Sequence, residues 1–255
     1  MTFKLYDAND FKELKNVGKL TSECLNLLEI WLEVPDEITT QQIDDFVVRY
    51  ANDNNLQCAT LGYKGFPSSC CASVNHIACH GIPTKKKILR QGDIVKVDVT
   101  FINKNGYYGD SCRTFKVGKV SRKAEIITQI AKDALAVGIE QSKPDNHIGH
   151  IGFAIEQYVK KHNASIVREF VGHGIGKTFH TSPDIPHFCQ EKNIIKTPKL
   201  VPGMVFTIEP IVNLGSPKLK ILKDGWSAAT SDRKFSAQWE HTIGITDTGC
   251  EIFTQ

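Results

Sequence analysis

The chain has 255 residues and a hydrophobic fraction of 41%, enough to bury a substantial core as one large domain or as two halves sharing one, which excludes a mainly disordered protein. Lys and Arg exceed Asp and Glu by only three, a balance that argues against specific nucleic-acid binding through a strong positive field. The eight cysteines include no CxxC pair, the N-terminus has no signal-type apolar core, and no run of about 18 apolar residues is present, so a soluble cytoplasmic protein with reduced thiols and no membrane span is expected.

The first predicted element is a helix. Asp10 and Glu13 form a capping-box pattern, and Leu14, Val17, Leu20, Cys24, Leu27, Leu28 and Trp31 recur at helical spacing until Pro35-Asp36 breaks the run. A second helix starts at Thr39, with Gln42 on its first turn, and shows Ile43, Phe46, Val47 and Tyr50 on one face. Strand-like runs cover 69–79 and 93–102, and Lys85-Lys86-Lys87 between them reads as a solvated turn. The segment INKNGYYGD, from Ile102 to Asp110, is expected to turn as a hairpin on Asn105-Gly106.

After Ser121 the same order recurs: a long helix to about Gln141, a Pro144-Asp145 break, a helix around 147–162, then strands. GDIVKVD at 92–98 corresponds to GMVFTIE at 203–209, each a glycine, an alternating apolar strand and an acid. The pattern predicts one domain over 1–255 with an internal pseudo-repeat, about 10–118 and 121–250, of α+β halves. Equivalent positions lie near the axis of such a repeat, so Asp98 and Glu209 are expected to meet at the centre.

Four acids stand in strand positions. Asp98 lies among Ile94, Val95, Val97 and Val99, Glu209 between Ile208 and Pro210, Glu240 just before HTIGI, and Asp110 on the strand returning from the hairpin. Each by itself reads as a salt bridge or a cap. Together they repel one another and are driven toward protonation unless cations compensate. Two divalent ions balance four carboxylates, and hard oxygen donors with an imidazole suit manganese, iron or cobalt better than a structural zinc site. A two-residue turn at Asn105-Gly106 puts positions 98 and 110 on different faces, so a bulge at Gly109 is expected to bring them together.

EFVGHGIGKTFH at 169–180 has the glycines of a phosphate loop, at 172, 174 and 176. The third comes one residue early for a dinucleotide fingerprint, no helix pattern follows before Pro183 and Pro186, and position 171 lacks the glycine of a P-loop. The glycines flanking His173 are better explained as permitting an unusual backbone that turns its imidazole inward.

HGIP at 80–83, VDVT with Gly109-Asp110, GHGIG at 172–176, TIEP at 207–210 and QWEHT at 238–242 together resemble the type I methionine aminopeptidases in their short bacterial form, over a likeness that runs from about residue 10 to the C-terminus. The resemblance implies the pita-bread fold, two pseudo-symmetric α/β halves around a central antiparallel sheet. It implies that Asp98, Asp110, His173, Glu209 and Glu240 bind two divalent metals (cobalt, manganese, iron or similar), with Asp110 and Glu240 bridging them and a metal-bridging water as nucleophile. It makes Glu209 the proton carrier, His180 a partner of the scissile carbonyl and His80 a partner of the scissile nitrogen. Tyr63, Phe66, Cys71, Phe179 and Trp226 are then the pocket for the methionine side chain, whose polarizable sulfur suits aromatic rings and a thiol.

The sequence departs from its relatives at Thr60, where Cys is common, at Phe66, where Tyr is common, and in a hairpin loop one residue longer. The expected activity is removal of the initiator methionine from nascent polypeptides when the second residue is small, by a cytoplasmic monomer. Lys85–Lys87 and PKLKILKDG at 217–225 are the candidate ribosome contacts. The competing readings are an Xaa-Pro aminopeptidase of the same fold and a non-catalytic binding relative.

Overall fold

The computed structural model describes residues 3–33 and 37–255, so the Pro35-Asp36 break lies outside the described residues. Helix α1 (Ala8–Leu32) is capped three residues earlier than expected, because Asp7 accepts from the N–H groups of Asn9 and Asp10 while the Asp10 carboxylate accepts from the Asp7 N–H. Glu13 instead accepts from the side chains of Asn103 and Asn105, both at 3.0 Å, and so docks the hairpin loop onto α1. Helix α2 (Thr40–Asp53) starts at the Thr39–Gln42 capping box as the sequence predicts.

The first sheet contains β1 (Gln57–Cys58), β2 (Cys71–Val74), β3 (Ile94–Ile102) and β4 (Tyr108–Lys116); β1 and β2 pair with opposite ends of β3, and β4 with its whole length. Side chains alternate across a strand. Val95, Val97, Val99 and Phe101 therefore join Leu14, Val17, Leu28, Ile43 and Val47 in a core under α1 and α2. Lys96, Asp98 and Thr100 take the other face.

In the β3–β4 register, Asp98 lies opposite Cys112 and Thr100 opposite Asp110. Ile102 pairs with Tyr108, so residues 103–107 form the loop. This corrects the expectation of a two-residue turn: a loop with an odd number of residues already sets Asp98 and Asp110 on one face, and no bulge is needed. Gly109 serves close packing instead, since a Cβ there would press on Gly18 and Thr21 of α1.

The second half repeats the pattern. Helices α3 (Arg122–Glu140), capped by Ser121, and α4 (Ile148–Lys161) cover a sheet of β5 (Gly172–Gly174), β6 (Thr181–Ile185), β7 (Val205–Ile208), β8 (His241–Ile245) and β9 (Cys250–Ile252), in the order β9-β8-β7-β5-β6. Ile127, Leu135, Ile151 and Ile155 bury against Phe206, Ile208 and Ile243. Thr207 lies between these two β7 residues in sequence and points to the other face. Two three-stranded antiparallel sheets complete the layer, one through Ile211–Asn213 and one through Ala228–Thr230. All eight cysteines are free thiols.

The halves meet along β4 and residues 238–242, where hydroxyl groups stand in for backbone ladder groups. Ser111 Oγ donates to the Glu240 carbonyl at 2.8 Å, Thr114 Oγ1 to that of Gln238 at 2.7 Å, and the Glu240 N–H to the Cys112 carbonyl at 2.9 Å. This seam brings Asp110 and Glu240 side by side, one from each half.

Candidate metal centre

Asp110, His173 and Glu240 each offer a ligand atom, and the three atoms lie within 4.8 Å of one another in buried surroundings. His173 Nε2 is also 3.5 Å from Glu209 Oε1 and 3.7 Å from Asp110 Oδ2. Asp98 joins from β3, on the face it shares with Asp110. All five residues line one cavity of about 480 Å³.

The electrostatics show what this cluster requires. Burial pushes the Asp98 carboxyl up to about 7. Burial, reinforced by the neighbouring carboxylates, raises Asp110, Glu209 and Glu240 well above the usual carboxylate range. The nearest nitrogen base does not compensate, because burial lowers His173 to about 4 and leaves it neutral. Buried acids of this kind, with a neutral imidazole among them, are a set of hard oxygen donors plus one nitrogen that fits divalent cations.

Hydrogen bonds orient the acids. Thr100 Oγ1 donates to Asp110 Oδ1 at 2.7 Å, Thr207 Oγ1 to Glu209 Oε1 at 3.0 Å, and Gln238 Nε2 to Glu209 Oε2 at 3.3 Å. The His173 N–H donates to Thr207 Oγ1 at 3.0 Å, so a single hydroxyl aligns His173 and Glu209. The Glu209 N–H donates to Nε2 of the buried His187 at 3.1 Å. None of these supporting residues was singled out in the sequence, although Thr100, Thr207 and Gln238 lie inside the quoted VDVT, TIEP and QWEHT motifs.

The expected reason for the glycines around His173 is corrected. Gly172 and Gly174 are ordinary strand residues, and what excludes a side chain is close approach: a Cβ would run into the Thr207 carbonyl at 172 and the Ser182 carbonyl at 174. Only Gly176, at φ +154°, needs glycine for its conformation.

The remaining predicted residues line the same cavity. Tyr63 stacks on His180 at 5.0 Å and packs against Phe179 at 4.7 Å, while the His180 and His173 rings lie 4.0 Å apart. Phe66 meets Trp226 edge-on at 5.2 Å, and His80, at φ +54°, meets Phe170 edge-on at 4.8 Å. Cys71 lies opposite Asp98 across β2 and β3. Burial leaves His180 neutral, at about 3, and lowers His80 as well. Thr60 and Cys79 also line the wall, and Phe170, inside the 169–180 stretch but with no role expected for it, is a further aromatic wall residue.

A buried carboxylate–imidazole cluster on two matched α+β halves suits a metal-dependent enzyme, and the chain matches the model of metallopeptidase family M24 over residues 12–247, which makes that class the metal-dependent hydrolases. It is 44% identical to methionine aminopeptidase A of Synechocystis over 99% of this chain and 98% of that one, and 40% identical to methionine aminopeptidase of Escherichia coli over 100% and 94%. The crystal structure of methionine aminopeptidase from Rickettsia prowazekii superposes with a TM-score of 0.95 at 41% identity, covering 100% of both chains. The chain belongs to the methionine aminopeptidases of family M24, hydrolases with the pita-bread fold. Prolidase from Pyrococcus furiosus shares that fold at 19% identity and a TM-score of 0.75, with 65% of its chain covered.

Proposed function

We infer that this chain hydrolyses the bond after an N-terminal methionine when the next residue is small, releasing the initiator methionine from nascent polypeptides. The observation that carries the reading is the juxtaposition, in one cavity, of the acid and imidazole cluster with a wall of Tyr63, Phe66, Cys71, Phe179 and Trp226. Aromatic rings and a thiol offer a thioether dispersion and sulfur–ring contacts.

Asp98, Asp110, His173, Glu209 and Glu240 are the residues to hold two divalent ions, of which cobalt, manganese and iron suit the donors. Two such ions, when bound, supply Lewis acidity that polarises a peptide carbonyl and makes water nucleophilic near neutral pH. Glu209 takes the proton from the attacking water and passes it to the departing nitrogen, with its carboxylate aimed by Thr207 and Gln238. Neutral His180 donates a hydrogen bond to the carbonyl oxygen as charge develops there, and neutral His80 bonds to the scissile nitrogen side. Identity of 44% and 40% to methionine aminopeptidases over 99% and 100% of this chain favours this reading over an Xaa-Pro peptidase.

Two core clusters, one under each helix pair, with a third smaller one around Ala78, Val167 and Ile211, support a single catalytic domain of two pseudo-symmetric halves. The same reading takes the enzyme as a cytoplasmic monomer that meets nascent chains at the ribosome. Exposed Lys218, Lys220 and Lys223 face an anionic surface in that picture, and co-sedimentation at low but not high salt tests it.

The deciding experiment strips metal from the protein and adds iron, manganese or cobalt stepwise, measuring cleavage of Met-Ala-Ser and of an Xaa-Pro peptide. Cleavage of the first alone, restored by metal, is expected; cleavage of the second alone, or of neither, overturns the reading.

A further inference from the structure

Strand β5 ends at Gly174 and β6 begins at Thr181, so the connection between them carries both Phe179 and His180. Three contacts from outside the second half hold its residues 176 and 177. The Tyr108 N–H donates to the Gly176 carbonyl at 2.8 Å. The Lys177 ammonium sits 4.6 Å from the centre of the Tyr107 ring, whose hydroxyl donates to Asp10 Oδ1 at 2.5 Å. The third is Tyr6, from the segment preceding α1.

Tyr6 is 6% exposed, and its hydroxyl accepts the Lys177 N–H at 3.1 Å. Its own N–H donates to the Gly203 carbonyl at 2.8 Å, just ahead of β7, the strand that leads to Glu209. The Tyr6 ring lies so close to Gly176 that a Cβ at that position would overlap it. Gly176 and Tyr6 are therefore fitted to each other, and the tyrosine fills the space that glycine leaves.

We propose that Tyr6 is a positioning residue for the loop that delivers His180, with its hydroxyl fixing the Lys177 peptide and through it the backbone of residues 176–180. The proposal rests on the roles given above to His180 and Phe179. The two side chains depend on the loop to different degrees. Both rings are packed, Phe179 by Tyr63 at 4.7 Å and Tyr108 at 5.7 Å, and His180 by Tyr63 at 5.0 Å and His173 at 4.0 Å, but Phe179 has only to fill space, whereas His180 must meet a carbonyl oxygen with a hydrogen-bond accuracy that ring packing does not set. Tyr6 thus acts on turnover more than on substrate affinity. A small misplacement of a catalytic group is costly in rate because the alignment must be re-established in every transition state.

Tyr6→Phe tests this, because it keeps the ring against Gly176 and removes only the acceptor. Two readouts are taken: amide hydrogen exchange at Lys177 and its neighbours, and steady-state cleavage of Met-Ala-Ser by the metal-loaded enzyme. The Lys177 amide is expected to exchange about tenfold faster, as a locally opened segment does. The turnover number is expected to fall about tenfold with KM changed much less. Unchanged exchange overturns the proposal, and so does faster exchange with an unchanged turnover number. A loss confined to melting temperature also overturns it, since that is the signature of a structural contact. If the unsubstituted enzyme does not cleave Met-Ala-Ser, the reading of the site fails, while the Lys177 amide still decides whether Tyr6 fixes the loop.

Discussion

Thr242 and Asp110 exchange two hydrogen bonds across the junction of the halves: Thr242 Oγ1 donates to the Asp110 carbonyl at 2.8 Å, and the Asp110 N–H donates to Thr242 Oγ1 at 3.2 Å. One hydroxyl thereby completes the backbone of a metal-site acid from the opposite half. Thr242→Val keeps the shape and leaves both buried groups unpaired, a loss of about 1–3 kcal/mol. Calorimetry is expected to show a melting temperature lower by roughly 3–10 °C. Titration with manganese is expected to show affinity weaker by about tenfold, as for other groups that orient ligands. An unaltered manganese isotherm would remove the seam from the account of the site.

Glu209 is the proton carrier in the proposed mechanism, so Glu209→Gln is expected to lower turnover of Met-Ala-Ser by about 10²–10⁴-fold. Gln retains an acceptor for Thr207 Oγ1, so circular dichroism is expected to show the fold intact. Retained turnover would place the proton transfer on another group.

The acids must release their protons before they can hold a metal, so the stabilisation that manganese confers is expected to grow as pH rises from about 5 to about 8. The sign follows from proton counts in the folded chain. Asp98 is raised to about 7, and Asp110, Glu209 and Glu240 are raised well above the carboxylate range, so manganese must displace protons that the folded metal-free site holds at low pH, and fewer remain as pH rises. The metal-free protein alone carries no simple trend, because Lys96, lowered to about 7, and His173, His180, His187 and His241, lowered to about 4, 3, 3 and 4, act against the acids. Melting temperatures with and without manganese at the two ends of that range check this, and a difference that does not widen with pH would contradict the assignment of a charge-compensating metal.

Gly172→Ala places a methyl against the Thr207 carbonyl, which belongs to a strand that cannot yield easily. Overpacking of this kind costs about 1–3 kcal/mol, and chemical denaturation is the measurement. Wild-type stability in this variant would show that β5 and β7 can separate without penalty.

Much of the fold was legible in local patterns. Thr39 with Gln42 and Ser121 mark their helices correctly because capping depends on residues three apart in the chain. Asp10 and Glu13 misled because Asp7 captures Asp10, while Glu13 is drawn to Asn103 and Asn105, partners far along the chain. Leu27, counted in the apolar stripe of α1, is 48% exposed, whereas Leu25 and Leu32 are buried.

The sequence by itself determined which side chains carry the chemistry: acids interrupting apolar strands, and histidines set among glycines, stand out because they are costly to bury without a partner. It also determined the family, since the motifs are short and local. Tertiary structure alone decided that a five-residue loop puts Asp98 and Asp110 on one face, and that Gly172 and Gly174 serve packing rather than an unusual backbone. It alone set Thr242, Thr207, Gln238 and Tyr6 around the site. Register, close approach and hydrogen bonds between halves depend on residues tens to more than a hundred positions apart, and no local pattern of side chains encodes which of them will meet.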